Sequence, residues 1–182
     1  MKSLVKWTVD DYHKMIEAGI LCDRRVELLE GDIVEMSPEG PLHYFLSDQG
    51  ADYLKELLKG KAEVRLNGPI TLANSEPEPD IVVVKPPKSR YRDRHPRAED
   101  IFWIIEVSNS TLPKDLNEKK QVYAAAEIQE YWVLDLQKEK LIVFRQPEGT
   151  EYLVKIEVTE GTICPLAYSN VEVSVTKLLR GA

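Results

Sequence analysis

The 182-residue chain has only two cysteines, Cys22 and Cys164, and they lack metal-ligand spacing. With so little cysteine, a reducing, cytoplasmic setting is the simple expectation. No apolar run is long enough to cross a bilayer. The opening residues, Met1 to Trp7, lack the apolar stretch of a signal peptide. Internal repeats and linker-like stretches are missing too, so residues 1–182 are expected to form one domain, a length that can bury a real core. Positive charge is in short supply: 24 Lys and Arg stand against 31 Asp and Glu, a net charge of −7. That balance argues against a generic nucleic-acid coat protein. A hydrophobic share of 43% with 30% charged residues excludes a disordered chain.

The scarce positive charge is unevenly spread. Lys85, Lys88, Arg90, Arg92, Arg94 and Arg97 fall close together with Asp93 opposing them, and Tyr91 and His95 lie among them. Such a segment either contacts phosphates or forms a solvated, mobile connection between two strands.

Thr8 to Ala18 reads as a helix capped by Thr8 and ended by Gly19. Arg25 to Met36 reads as a hairpin turning at Glu30-Gly31-Asp32. Helical spacing of apolar residues runs from Leu42 to Leu58, and Glu63–Leu72 is a strand candidate. Two short apolar runs follow, Pro-Asp-Ile-Val-Val-Val (79–84) and Ile-Phe-Trp-Ile-Ile-Glu-Val-Ser (101–108), each suited to a strand buried on both faces. Leu112–Ala126 is a helix with Pro113 in its first turn. The remainder reads as strands at Tyr131–Leu136, Lys140–Gln146, Glu151–Val158 and Val171–Val175. The order gives an α/β chain with helices packed on a sheet.

The chemistry-bearing residues sit at the ends of the two apolar runs. An ionised carboxylate there is costly unless it is paired or holds a cation. Asp80 opens the first run and Glu106 closes the second, so the two acids form a seat for a hard divalent metal, with the Val107 backbone carbonyl as a further ligand. Strand alternation puts Phe102, Ile104, Glu106 and Ser108 on one face. Asp115, Lys119 and Tyr123 recur at intervals of four and share a helix face. If that face packs on the sheet, the Lys119 amine can approach a scissile phosphate, while the adjacent Lys120 points to solvent. Taken singly, each piece is a common feature of strands and helices; their order is the informative part.

Residues 24–136 resemble the putative restriction endonuclease family of bacteria, within the PD-(D/E)xK nuclease superfamily. The resemblance rests on Val26-Glu27-Leu28-Leu29-Glu30-Gly31, Met36-Ser37-Pro38 with His43, and Pro79-Asp80. It continues through Glu106 to Leu112, Asp115-x-x-x-Lys119-x-x-x-Tyr123 and Glu130 to Asp135. It implies a mixed central sheet flanked by helices, here with additional C-terminal strands. It further implies Mg²⁺- or Mn²⁺-dependent hydrolysis of phosphodiester bonds in nucleic acid, with DNA the expected substrate, and frequent homodimers. Asp80 and Glu106 carry over as metal ligands. The superfamily's usual motif lysine would fall at Ser108, and the resemblance assigns its role to Lys119. Glu27 matches an acidic position that supports the metal or a bound water. His43, Ser108, Lys88, Arg90, Arg92 and Arg94 are candidates for substrate contact. Two other classes stay open: a catalytically silent dimeric module binding nucleic acid or protein on the same fold, and a purely structural protein whose acids lie on the surface.

Overall fold

The computed structural model describes residues 4–181. Its centre is a six-stranded mixed sheet in the order β3-β4-β5-β6-β7-β8. The strands are β3 (Glu63–Leu66), β4 (Ile81–Val84), β5 (Ile101–Ser108), β6 (Glu130–Asp135), β7 (Lys140–Glu148) and β8 (Glu151–Val158). β5 and β6 run parallel; every other neighbouring pair is antiparallel. β4 and β6 are buried along their whole length, as are all residues of β5 but Phe102, which explains why they read as unbroken apolar runs.

One face of the sheet, carrying Trp103, Ile105, Val107 and Trp132, packs under α2 (Pro41–Leu57) and α5 (Val175–Arg180) through Leu46, Leu54 and Leu178. The other face, carrying Ile104, Tyr131 and Val133, packs under α4 (Lys120–Ala125) through Val122 and Tyr123. Outside the sheet, the hairpin of β1 (Val26–Leu29) and β2 (Asp32–Glu35) is held by α1 (Val9–Glu17) through Tyr12. Thr8 and Asp11 form a reciprocal capping box at the start of α1.

Several expected boundaries shift for physical reasons. The hairpin turns on two residues, Glu30 and Gly31, both with positive φ, so Asp32 already pairs with Leu29. A side chain at Gly31 would meet Lys6 Cβ at 2.9 Å, so this turn needs glycine twice over. β3 ends at Leu66, where Asn67 takes a left-handed conformation. A bulge sets Val83 opposite Trp103 but Val84 opposite Ile101. That extra residue turns Phe102 away from Ile104, correcting the simple alternation, and seats it against Tyr168 with ring centroids 5.3 Å apart. The C-terminal strand shrinks to β10 (Val173–Ser174), paired with β9 (Thr162–Ile163). Ser174 then accepts from the Lys177 N–H and caps α5, a helix that its β-branched sequence does not advertise.

Candidate active site

Backbone register alone makes Asp80 and Glu106 neighbours. Ile81 lies opposite Ile105 in the antiparallel β4–β5 pair. One step further on each strand brings Asp80 across from Glu106, at the point where β4 ends and β5 continues. The Asp80 N–H donates toward Glu106 Oε2 at 3.4 Å, and the Val107 N–H donates to Asp80 Oδ2 at 2.6 Å. Asp80 thereby occupies the β5 edge that β4 has vacated. In an extended strand the N–H and C=O of one residue point to the same side, so the Val107 carbonyl faces Asp80 as well.

The cations come from the helical segment after β5. It starts as the short α3 (Leu112–Lys114), widens into a π-turn over Asp115–Lys119, and continues as α4. Lys119 is buried, with Nζ 2.8 Å from Glu106 Oε1 and 3.7 Å from Glu27 Oε2. The Tyr123 hydroxyl donates to the same Glu106 oxygen at 2.8 Å. Glu27, from β1, also takes Lys114 Nζ at 2.7 Å and the Glu78 N–H at 3.1 Å. In an α-helix, residues 114 and 119 would sit on different faces. The i→i+5 repeat of the π-turn brings both amines to one carboxylate, which is why periodicity points to Lys119 and misses Lys114.

His43, on α2, lies with Nε2 3.2 Å from Asp80 Oδ2; its Nδ1 is 3.9 Å from Glu39 and buried without a hydrogen-bond partner among the described residues. Burial pushes the His43 imidazole down, but the hydrogen bond and charge of Asp80 outweigh it and hold it above its ordinary value. Ser108 departs from the expectation of substrate contact. It is fully buried and donates its hydroxyl to Asp115 Oδ2 at 2.7 Å, so it positions an acid. Lys120 pairs with Glu151 at the sheet edge and lies partly covered, 5.9 Å from the Phe144 ring centroid, not free in water.

These groups surround a cleft of about 50 Å³, in which Glu27, Glu39, Glu78, Asp80, Glu106 and Asp115 face Lys114, Lys119 and the titratable His43. Six carboxyl groups against two ammonium groups and one imidazole leave the cleft rich in acids, some of them held toward the protonated form. Burial, and then the nearby Asp80 and Asp115, push the Glu106 carboxyl well above the usual carboxylate range against the pull of Lys119. Burial likewise raises Asp115, whereas Lys119 and Lys114 outweigh it at Glu27 and hold that carboxyl low. Lys119 is kept charged despite its burial by Glu106 and Glu27. Among the described residues, no three His, Cys, Asp or Glu side chains converge as a ready-made metal cage. The donor chemistry nevertheless fits a hard divalent cation: Mg²⁺ takes one or two carboxylates and keeps several waters, and a cleft rich in acids favours a cation.

The basic segment is placed elsewhere. It leaves the sheet at Val84 and returns at Ile101, the ends of β4 and β5 opposite to Asp80 and Glu106. Four residues of strand make that separation roughly 13 Å. Arg90 and Arg94 spend charge on the buried Asp100, at 3.3 and 2.6 Å, so the segment is built around an acid. Lys88 and Arg92 are exposed. Sequence reasoning therefore brings Asp80, Glu106, Lys119, Glu27 and His43 into one cleft, omits Lys114 and Glu78 from it, and adds arginines that lie outside it.

The sequence matches the model of the Uma2 family, described as putative restriction endonuclease, over residues 9–176. The crystal structure of a putative nuclease from Anabaena variabilis ATCC 29413 has the same fold, with a TM-score of 0.68 at 18% sequence identity, covering 94% of this chain and 97% of that one. No curated protein matches the chain.

Proposed function

The chain belongs to the putative restriction endonuclease family, and on that premise we propose that it hydrolyses phosphodiester bonds in DNA with the help of Mg²⁺ or Mn²⁺. The observation that carries this reading is the convergence of Asp80, Glu106 and Lys119 in one acid-rich cleft, with Lys119 Nζ 2.8 Å from Glu106. Asp80, Glu106 and the Val107 carbonyl would hold the cation, which when bound supplies charge neutralisation at the scissile phosphate and a more acidic water.

The protein's own groups supply the rest. Glu106, itself held by the Tyr123 hydroxyl, fixes the Lys119 ammonium in place, so a positive charge waits where negative charge develops on the phosphate, and no reorganisation is needed during the step. Glu27 orients both lysines from the opposite side. Lys114, the more exposed of the two, is free to turn from Glu27 toward a non-bridging phosphate oxygen. His43 steadies Asp80 through Oδ2. Cutting both strands of a duplex would require two sites, which a twofold dimer provides.

The reading is tested by incubating the chain with single- and double-stranded DNA and RNA, with Mg²⁺, Mn²⁺ or EDTA. Cleavage of DNA that needs the divalent ion is the expected outcome. Tight nucleic-acid binding without cleavage under every condition would instead support a catalytically silent module.

A further inference from the structure

Arg65, on β3, is a half-buried cation that the chemistry above does not use. Its Nε is buried without a hydrogen-bond partner among the described residues. Burial holds its guanidinium below the ordinary value against the smaller opposing effect of Tyr91, and no carboxylate among the described residues pairs with it. Its Cζ lies 5.7 Å from the centroid of the Tyr91 ring, and Arg94 Cζ lies 5.6 Å from the same centroid. Tyr91 is itself pinned by its hydroxyl, which donates to the Lys85 carbonyl at 2.6 Å. An unpaired, partly desolvated guanidinium is costly, and an anion supplied from outside would remove the cost.

The surroundings suit such an anion. A cleft of about 560 Å³ is lined by Arg65, Arg92, Arg94 and Arg97 against Asp10 and Asp93. A second cleft, about 300 Å³, shares Arg65 and Tyr91 and adds Lys55, Lys59 and Lys88 against Glu63, with Lys55 also paired to Asp52. Positive charge is thus gathered on both sides of the Arg65–Tyr91 stack in a chain whose net charge is −7. Arg65 pairs with Val82, and Val82 with Ile104. Paired residues share a face, and Glu106 is two residues beyond Ile104, so Arg65 and Glu106 lie on the same side of the sheet. Two inter-strand spacings and two residues of rise separate their backbones by roughly 12 Å. At about 3.4 Å of rise per nucleotide, that is roughly three to four nucleotides.

We propose that the clefts flanking Arg65 and Tyr91 bind the sugar–phosphate backbone of the nucleic acid a few nucleotides from the scissile bond, with Arg65 taking one phosphate. The identity of the polyanion rests on the nuclease reading; the anion site itself rests on the unpaired arginine and its cationic surroundings.

The test is fluorescence anisotropy of a labelled single-stranded oligodeoxynucleotide in EDTA, where no cutting occurs, over a range of salt. Arg65→Gln should weaken binding about tenfold or more and lower the slope of log affinity against log salt by roughly 0.7. Arg92→Ala with Arg97→Ala, both exposed positions, should lower it by roughly twice as much. Unchanged affinity and slope in the double variant, which leaves the core untouched, overturn the proposal whether or not Arg65→Gln folds. Arginine-dependent binding by a chain that never cuts would sink the nuclease reading and leave this site standing; divalent-dependent cutting with binding indifferent to these arginines would do the reverse.

Discussion

The Lys119 ammonium lies 2.8 Å from Oε1 of the Glu106 carboxyl group, and both side chains are buried. The pair is the hinge of the site: Tyr123 and Glu27 hold it from two sides, and Asp80 sits beside it. The consequences can be measured one residue at a time.

Glu27 is buried and holds two lysines from one helix. Glu27→Gln removes the negative partner and leaves Lys114 and Lys119 with a neutral amide. Breaking a buried ion pair in this way costs about 3 kcal/mol, read as a shift of the urea unfolding midpoint. Adding Lys114→Met to Glu27→Gln should cost less than the two single changes together, because the two residues act as a pair. Additive losses would mean that the Lys114–Glu27 contact contributes nothing.

Asp80→Asn preserves shape but removes a charge from the acid pair. The amide oxygen can still accept from the Val107 N–H, so the fold should survive, with an unchanged circular dichroism spectrum. Mn²⁺ affinity, measured by calorimetry, should fall at least tenfold. Unaltered affinity would remove Asp80 from the metal site.

The raised Glu106 carboxyl predicts the pH dependence of metal binding. Burial, with Asp80 and Asp115 adding to it, makes the metal-free folded chain hold a proton that the unfolded chain has already lost. Stability without metal therefore falls as pH rises above the ordinary glutamate range. A cation must displace that proton, so Mn²⁺ affinity should increase with pH and binding should release protons, seen as a dependence of the binding heat on the buffer. Affinity that is flat across this range would show that Glu106 is already ionised.

Asp100 carries the opposite sign. The hydrogen bond from Arg94, with the Arg97 N–H and Arg90 assisting against burial, lowers its pKa to about 2. Its contribution is complete above the ordinary aspartate value and is lost as pH falls toward 2. Asp100→Asn should cost about 2 kcal/mol at neutral pH and flatten the acid limb of the stability curve. A wild-type acid limb in this variant would mean that the basic segment is not held by Asp100.

The residues that sequence reasoning reached are those whose signal is local. Asp80 and Glu106 end apolar runs, and an acid at such a boundary is conspicuous. Lys119 and Tyr123 keep a period of four. What it missed depends on departures from regular geometry or on contacts distant in the chain. Lys114 reaches Glu27 only because a π-turn replaces an α-turn. Phe102 changes faces because of a bulge. Ser108 is turned to positioning by Asp115, seven residues on. Arg65 looks like an ordinary strand arginine until the chain folds Tyr91 beneath it.

The central claim is that Lys119 supplies, from the helix, the catalytic charge that Ser108 lacks. It is tested most directly by single-turnover cleavage of DNA in Mg²⁺ by Lys119→Met and Lys120→Met, with Mn²⁺ affinity and thermal stability measured on the same samples. Lys119→Met should cut the rate by about a hundredfold or more while still binding Mn²⁺, as loss of one charge-stabilising donor does, and Lys120→Met should cut at the wild-type rate. Equal rates for wild type and a folded, metal-binding Lys119→Met would contradict the account.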